Sequence, residues 1–159
     1  MSYTFQSTEN TEGLAGSSKI CSIIDGFMDY EKNFPLAYGK IQALFGQPFY
    51  ETENLEDLFS YNILAKSEDG EEVYLNIYCA GSGPSIGGKR GEASEKAAKA
   101  LVDYIWQADP VDYDYKGYYM DGPTALELGI KNGVPYFNEV ELELSDEEFE
   151  RLYAKLYGL

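Results

Sequence analysis

Apolar and polar residues alternate over Phe59, Tyr61, Ile63 and Ala65, and again over Val73, Leu75, Ile77 and Cys79. A period of two marks a strand with one buried face. The intervening KSEDGE carries an Asp-Gly turn signal, so the two runs are predicted to pair as an antiparallel hairpin. A second hairpin is predicted around Asn132-Gly133. Leu126, Leu128 and Ile130 form the packed face of its first arm. Val134, Tyr136, Val140, Leu142 and Leu144 form that of its second, with Glu139, Glu141 and Glu143 on a wet acidic face.

Between these runs the period lengthens to that of helices. Ser17 or Ser18 is read as the cap of a helix carrying Ile20, Ile24 and Phe27, although Gly26 weakens it. Asn33 is read as the cap of a second helix, with Pro35 near its first turn and Leu36, Ile41, Leu44 and Phe45 as its stripe. Gly46 and Pro48 stop it. EASEKAAKALVDYIWQ predicts a third helix to Gln107, facing the core with Ala97, Leu101, Tyr104 and Ile105. Ser145 and Glu148 form a capping box for a fourth, with Phe149, Leu152, Tyr153 and Leu156 as its stripe. Residues 1–16 are polar and read as loosely ordered, apart from a short strand at Tyr3 to Phe5. Hairpins separated by helices imply an α+β fold, a mainly antiparallel sheet covered by helices, in one domain over residues 1–159.

Composition then narrows the function. The 159 residues include 28 Asp and Glu against 12 Lys and Arg, a formal net charge of −16. That surface repels phosphate backbones and anionic lipid, which argues against nucleic-acid and membrane binding, and it attracts a basic protein. Fifteen tyrosines beside these acids suit protein recognition. With no histidine, the commonest general base and most zinc sites are missing. Cys21 and Cys79 are expected as free, buried thiols of a cytoplasmic protein, a single disulfide being the alternative. No run resembles a signal peptide or a membrane span.

One stretch raises specific chemistry. In GSGPSIGGKRGE, Gly83, Gly88 and Lys89 match the G-x-x-x-x-G-K spacing of a phosphate-cradling loop, between a predicted strand and a predicted helix. Residues 81–110 hold four acids and four bases, against 24 and 8 elsewhere, so this is the least acidic part of the chain. The departures weigh more. Arg90 stands where Ser or Thr would hold magnesium, Pro84 removes a backbone N–H, and Glu92 and Glu95 would repel phosphate. The preceding strand also belongs to an antiparallel hairpin. The stretch is read as a glycine-rich connector, with Gly83, Gly87, Gly88, Lys89 and Arg90 as an alternative anion site.

VDYDYKGYYMDG is the leading candidate surface: Asp112, Tyr113, Asp114, Tyr115, Tyr118, Tyr119 and Asp121 would supply aromatic contact area and charges for a partner's Lys or Arg. An edge strand with half its tyrosines buried would produce the same alternation. The acid pairs in SEDGEE, ENLED and SDEE have simpler roles in turns, loops and caps than in catalysis. SEDGEE lacks the ligand order of a calcium loop, so no metal or other cofactor is expected.

Over residues 34–90, a helix ending in Phe-Gly-x-Pro, a Tyr-rich hairpin and a Gly-Pro stretch follow one another. In this the chain resembles small, acidic, single-domain bacterial immunity proteins, which neutralise a cognate toxin. The resemblance implies binding without catalysis and carries over no individual residue. The expected function is therefore non-catalytic binding of a basic protein such as a toxin. The alternative is small-ligand or anion binding at residues 81–91. Oligomeric state is not indicated.

Overall fold

The computed structural model describes residues 2–10, 12–14, 16–24, 29–46, 60–80, 83–121, 124–140, 145–148 and 150–151. Among them are eight strands: β1 (Tyr3–Ser7), β2 (Ser18–Ser22), β3 (Ser60–Ser67), β4 (Glu72–Ala80), β5 (Gly83–Gly88), β6 (Tyr115–Asp121), β7 (Thr124–Lys131) and β8 (Val134–Val140). Two long helices, α1 (Tyr30–Phe45) and α2 (Glu92–Gln107), separate them. The fold is α+β, and every strand pairing is antiparallel.

The predicted hairpins fall in different sheets. The β3–β4 pair lies in a five-stranded sheet of order β1-β3-β4-β5-β2, and β7–β8 closes a three-stranded meander, β6-β7-β8. Helix α1 packs on β7 and β8 of the small sheet, and on α2 and β5. Phe34, Ala37, Tyr38, Ile41 and Gln42 are all buried, at the i, i+3, i+4, i+7 and i+8 spacing by which a helix turns one face to a core. One core joins them to Tyr61, Ile63 and Ala65 of β3, Leu75 and Ile77 of β4, Ile86 of β5, Leu101 and Ile105 of α2, and Leu128 of β7.

Both helices are held at their ends. Asp29, not Asn33, caps α1: its carboxylate accepts the backbone N–H of Lys32 at 3.4 Å. Asn33 lies inside the helix, its side chain donating to the carbonyl of Asp29 at 2.7 Å. Gly46 ends the helix at φ 77°, a left-handed conformation that favours glycine. At the end of α2, the Lys40 ammonium reaches across from α1 and donates to the carbonyls of Trp106 (3.3 Å) and Ala108, acceptors that the helix itself leaves unpaired. The Trp106 indole N–H donates to the carbonyl of Ile23 at 2.9 Å. These bonds tie α1, α2 and the end of β2 together.

Several expectations need correction. The helix expected after Ser17 is strand β2, running along the free edge of β5. Ile20 lies within β2, and Ile23 and Ile24, just beyond its end, are buried; Phe27 lies outside the described residues. The glycine-rich connector is itself strand β5, buried at all six positions between β4 and β2. Its glycines serve close packing. A Cβ on Gly87 would lie 2.7 Å from Asn76 Oδ1, and one on Gly88 would lie 3.1 Å from both Ile20 and Leu75. Tyr104, expected in the core, is 41% exposed.

The amino-terminal segment is more ordered than its polarity suggests. β1 pairs with β3, and residues Glu12–Leu14 form a 3₁₀ turn against β4. There Gly13 lies against the Tyr74 ring, and the Asn10 side chain donates to the Tyr74 hydroxyl at 3.2 Å. At the other end, the capping box forms reciprocally. Glu148 N donates to Ser145 Oγ at 3.1 Å, and Ser145 N to the Glu148 carboxylate at 3.2 Å. The stripe residues Phe149, Leu152, Tyr153 and Leu156 lie outside the described residues.

Candidate partner-binding surface

Residues 108–114 link α2 to β6. Ala108, in an extended conformation, ends α2, and Pro110 follows two residues later. Asp109, Asp112, Tyr113 and Asp114 are exposed along this connection. Two of them are anchored. Tyr113 is 49% exposed, yet its hydroxyl donates to Gln42 Oε1 of α1 at 3.1 Å. The Asp114 carboxylate accepts the backbone N–H of Asn132 at 2.9 Å, fastening the connection to the β7–β8 turn. Three acids and a tyrosine edge are thus presented on a segment held at two points.

The next tyrosine turns the other way. Tyr115 pairs with buried Ile130 and packs on Tyr38 with ring centroids 5.0 Å apart. Its hydroxyl donates to the carbonyl of Pro35. Burial pushes the phenol well above its usual value, and Tyr38 adds to the shift. Tyr115 is an anchor of the fold, which corrects its placement on the surface. Tyr118, Tyr119 and Asp121 lie in β6 opposite Glu127, Leu126 and Thr124. Their side chains fall outside the described residues, so Asp112, Tyr113 and Asp114 are the part of the predicted surface brought together.

The alternative anion site is dispersed by the fold. Gly83, Gly87 and Gly88 lie in a strand with hydrogen-bonded neighbours on both sides, not in a loop whose N–H groups converge on a ligand. Lys89 and Arg90 follow the strand and are exposed. Arg90 Nε donates to Ser18 Oγ at 3.3 Å, and Glu92 pairs with Lys96 at 3.1 Å.

Other candidate chemistry resolves into structure. In SEDGEE, the Ser67 hydroxyl bonds to the Asp69 carboxylate and accepts the N–H of Glu71 at 3.1 Å, with Gly70 at φ 87°. The Ser67 bond holds the Asp69 carboxyl below its usual range, and backbone bonds add to this. These acids build a turn, while ENLED lies outside the described residues. Cys21 is a free, half-buried thiol, pushed up by burial against the opposing effect of Lys19. Cys21 and Cys79 pair on opposite sides of β5, with Ile86 and Pro84 respectively. Two strand spacings put their Cα atoms roughly 10 Å apart, beyond disulfide reach. Among the described residues no cluster of acids and cysteines could hold a metal ion, and no helix is long and apolar enough to cross a membrane.

Sequence reasoning missed one feature. Lys116, Lys131, Tyr136 and Val134 line a hollow on the outer face of the small sheet. The Asn-Gly turn signal was the clue, because a two-residue loop dictates which side chains share a face. No known family model matches this chain, and no curated protein or solved structure matches it either.

Proposed function

We propose that this chain is a non-catalytic binding domain for a basic protein, acting in the cytoplasm as an immunity-type inhibitor that covers a toxin's working surface. The observation that carries the reading is the anchored connection of residues 108–114. Asp112, Tyr113 and Asp114 stand exposed on a chain of net charge −16, and bonds to Gln42 and Asn132 hold the segment. Acids on a pre-ordered segment steer a cationic partner into encounter and lose little freedom on docking. Tyr113 adds rigid contact area at the centre of the charge.

The test uses the basic protein encoded beside this gene, with association and dissociation rates followed from low to physiological ionic strength. The association rate is expected to fall with salt. The double substitution D112N/D114N should slow association about tenfold at low salt, with a far smaller change in dissociation. Failure of the two proteins to bind, or an association rate indifferent to salt, would overturn the reading.

A further inference from the structure

We infer that β1 is the seat of a second copy of this chain: two β1 strands pair antiparallel about a two-fold axis and join their five-stranded sheets edge to edge. The backbone leaves this edge open. Thr8 N donates to Asn62 O at 2.8 Å, and the register of β1 on β3 is unbroken. By alternation Thr4 and Gln6 bond to β3, so the N–H and C=O groups of Tyr3, Phe5 and Ser7 point away from it. Thr4, Gln6 and Ser7 are exposed, and among the described residues only β3 pairs with β1. The other three edges carry devices that natural sheets use against association. β2 has exposed Lys19 and a break in register before Cys21, β6 has Lys116, and β8 has Pro135 and Glu139. β1 reads YTFQS, with no charge, proline or bulge.

What lies beside the edge selects the occupant. Tyr3 and Phe5 are partly buried, stacked with ring centroids 6.0 Å apart, and Phe5 packs on the exposed Tyr104 at 5.2 Å. An open hollow of about 380 Å³ is lined by Tyr3 and by Lys96, Lys99, Ala100 and Asp103, one stripe of α2. Lys96 pairs with Glu92, whereas Lys99 and Asp103 have no ion pair or hydrogen bond among the described residues. A positive and a negative charge one helical turn apart are self-complementary under a two-fold axis. With the axis at Thr4, Tyr3 of each copy lies opposite Phe5 of the other, and Lys99 of each approaches Asp103 of the other. β1 is uncharged and α2 carries three acids against two lysines, so a chain of net charge −16 meets its own copy here with little repulsion. A strongly charged peptide of either sign finds no matching charge on this face.

The test is sedimentation equilibrium of the full chain over a range of concentrations, read together with amide hydrogen exchange. A monomer–dimer equilibrium with a Kd of roughly 10–100 μM is expected, as suits a short strand-edge interface. Exchange at the Phe5 amide should slow as the dimer forms. K99D and D103K alter exposed side chains, and each should weaken the homodimer about tenfold, although D103K makes the chain less acidic. An equimolar mixture of the two variants brings opposite charges together again at both positions and should recover most of the lost affinity. The inference is overturned by a chain that stays monomeric at about 1 mM, by a dimer whose Phe5 amide exchanges as in the monomer, or by unchanged or tighter association of D103K. A mixture no stronger than the separate variants would overturn it too. Phe5 protection already complete in the dilute monomer would assign the edge to another segment of this chain, with the same result.

Discussion

The two hairpins carry similar turn signals and end in opposite relations between sequence and packing. In β3–β4, odd-numbered residues pair with odd: Tyr61 with Ile77, Ile63 with Leu75, Ala65 with Val73, and all six are buried. In β7–β8 the two-residue Asn132-Gly133 loop, with Asn132 at φ 52° and Gly133 at φ 77°, pairs even with odd. Leu128 therefore faces Phe137 and Ile130 faces Pro135, while Val134 and Tyr136 turn outward. Reading each arm by its own alternation placed Val134 and Tyr136 on the packed face. Val134 is 62% exposed, and Phe137 packs on Phe34 with centroids 5.7 Å apart. The parity of the loop, not the hydrophobicity of the arm, decides which face is inside.

Substitutions can break that comparison in order of size. Leu75→Ala, at the fully buried centre of the first hairpin, should cost about 3–4 kcal/mol in denaturant unfolding. In the second hairpin Gly129→Ala should cost about 3 kcal/mol, because the new methyl meets backbone carbonyl oxygen rather than a side chain that can move. The phase itself is tested by a pair. Phe137→Ala should lose about 2–3 kcal/mol and Val134→Ala no more than about 0.5 kcal/mol. Equal losses would mean that the arm is registered as its own alternation suggests. Lys40→Met, which keeps the aliphatic stem and removes the bonds to the end of α2, should cost about 1–2 kcal/mol.

The smallest effect concerns the turn of the first hairpin. Asp69 has a lowered folded value, so it contributes stability above its unfolded value that is lost as pH falls through the folded one. Ser67→Ala removes the main cause of that shift. It should flatten the acid-side slope of stability slightly, as read from unfolding midpoints across the carboxylate range.

Legibility followed the locality of the interactions. β3, β4 and α2 were readable because turn and period lie within each segment. β5 was not, because glycine counts locally as a breaker. The reason for it here is distant: Gly87 fits beneath Asn76 and Tyr78, and Gly88 fits between Ile20 and Leu75. β2 was hidden for the same reason, since Lys19 and Cys21 become strand only against the edge that β5 offers. Within the candidate surface, the alternation of acids and tyrosines left both a wet loop and a half-buried strand open. Which residues turned inward depended on Tyr38 and Pro35 of α1, some 80 positions earlier in the case of Tyr115.

The order β1-β3-β4-β5-β2 has a consequence for how the chain is born. Strands β1 and β2, joined by the segment that crosses Tyr74, occupy opposite edges of a sheet whose interior is the β3–β5 meander. Strands β1 and β2 leave the ribosome before β3, β4 and β5, yet are among the last of this sheet that can be seated, since Tyr3 must wait for Ser67 and Ser18 for Gly88. Until then the nascent meander offers two open edges to its neighbours, which is the interval when a chaperone or a crowded polysome matters most.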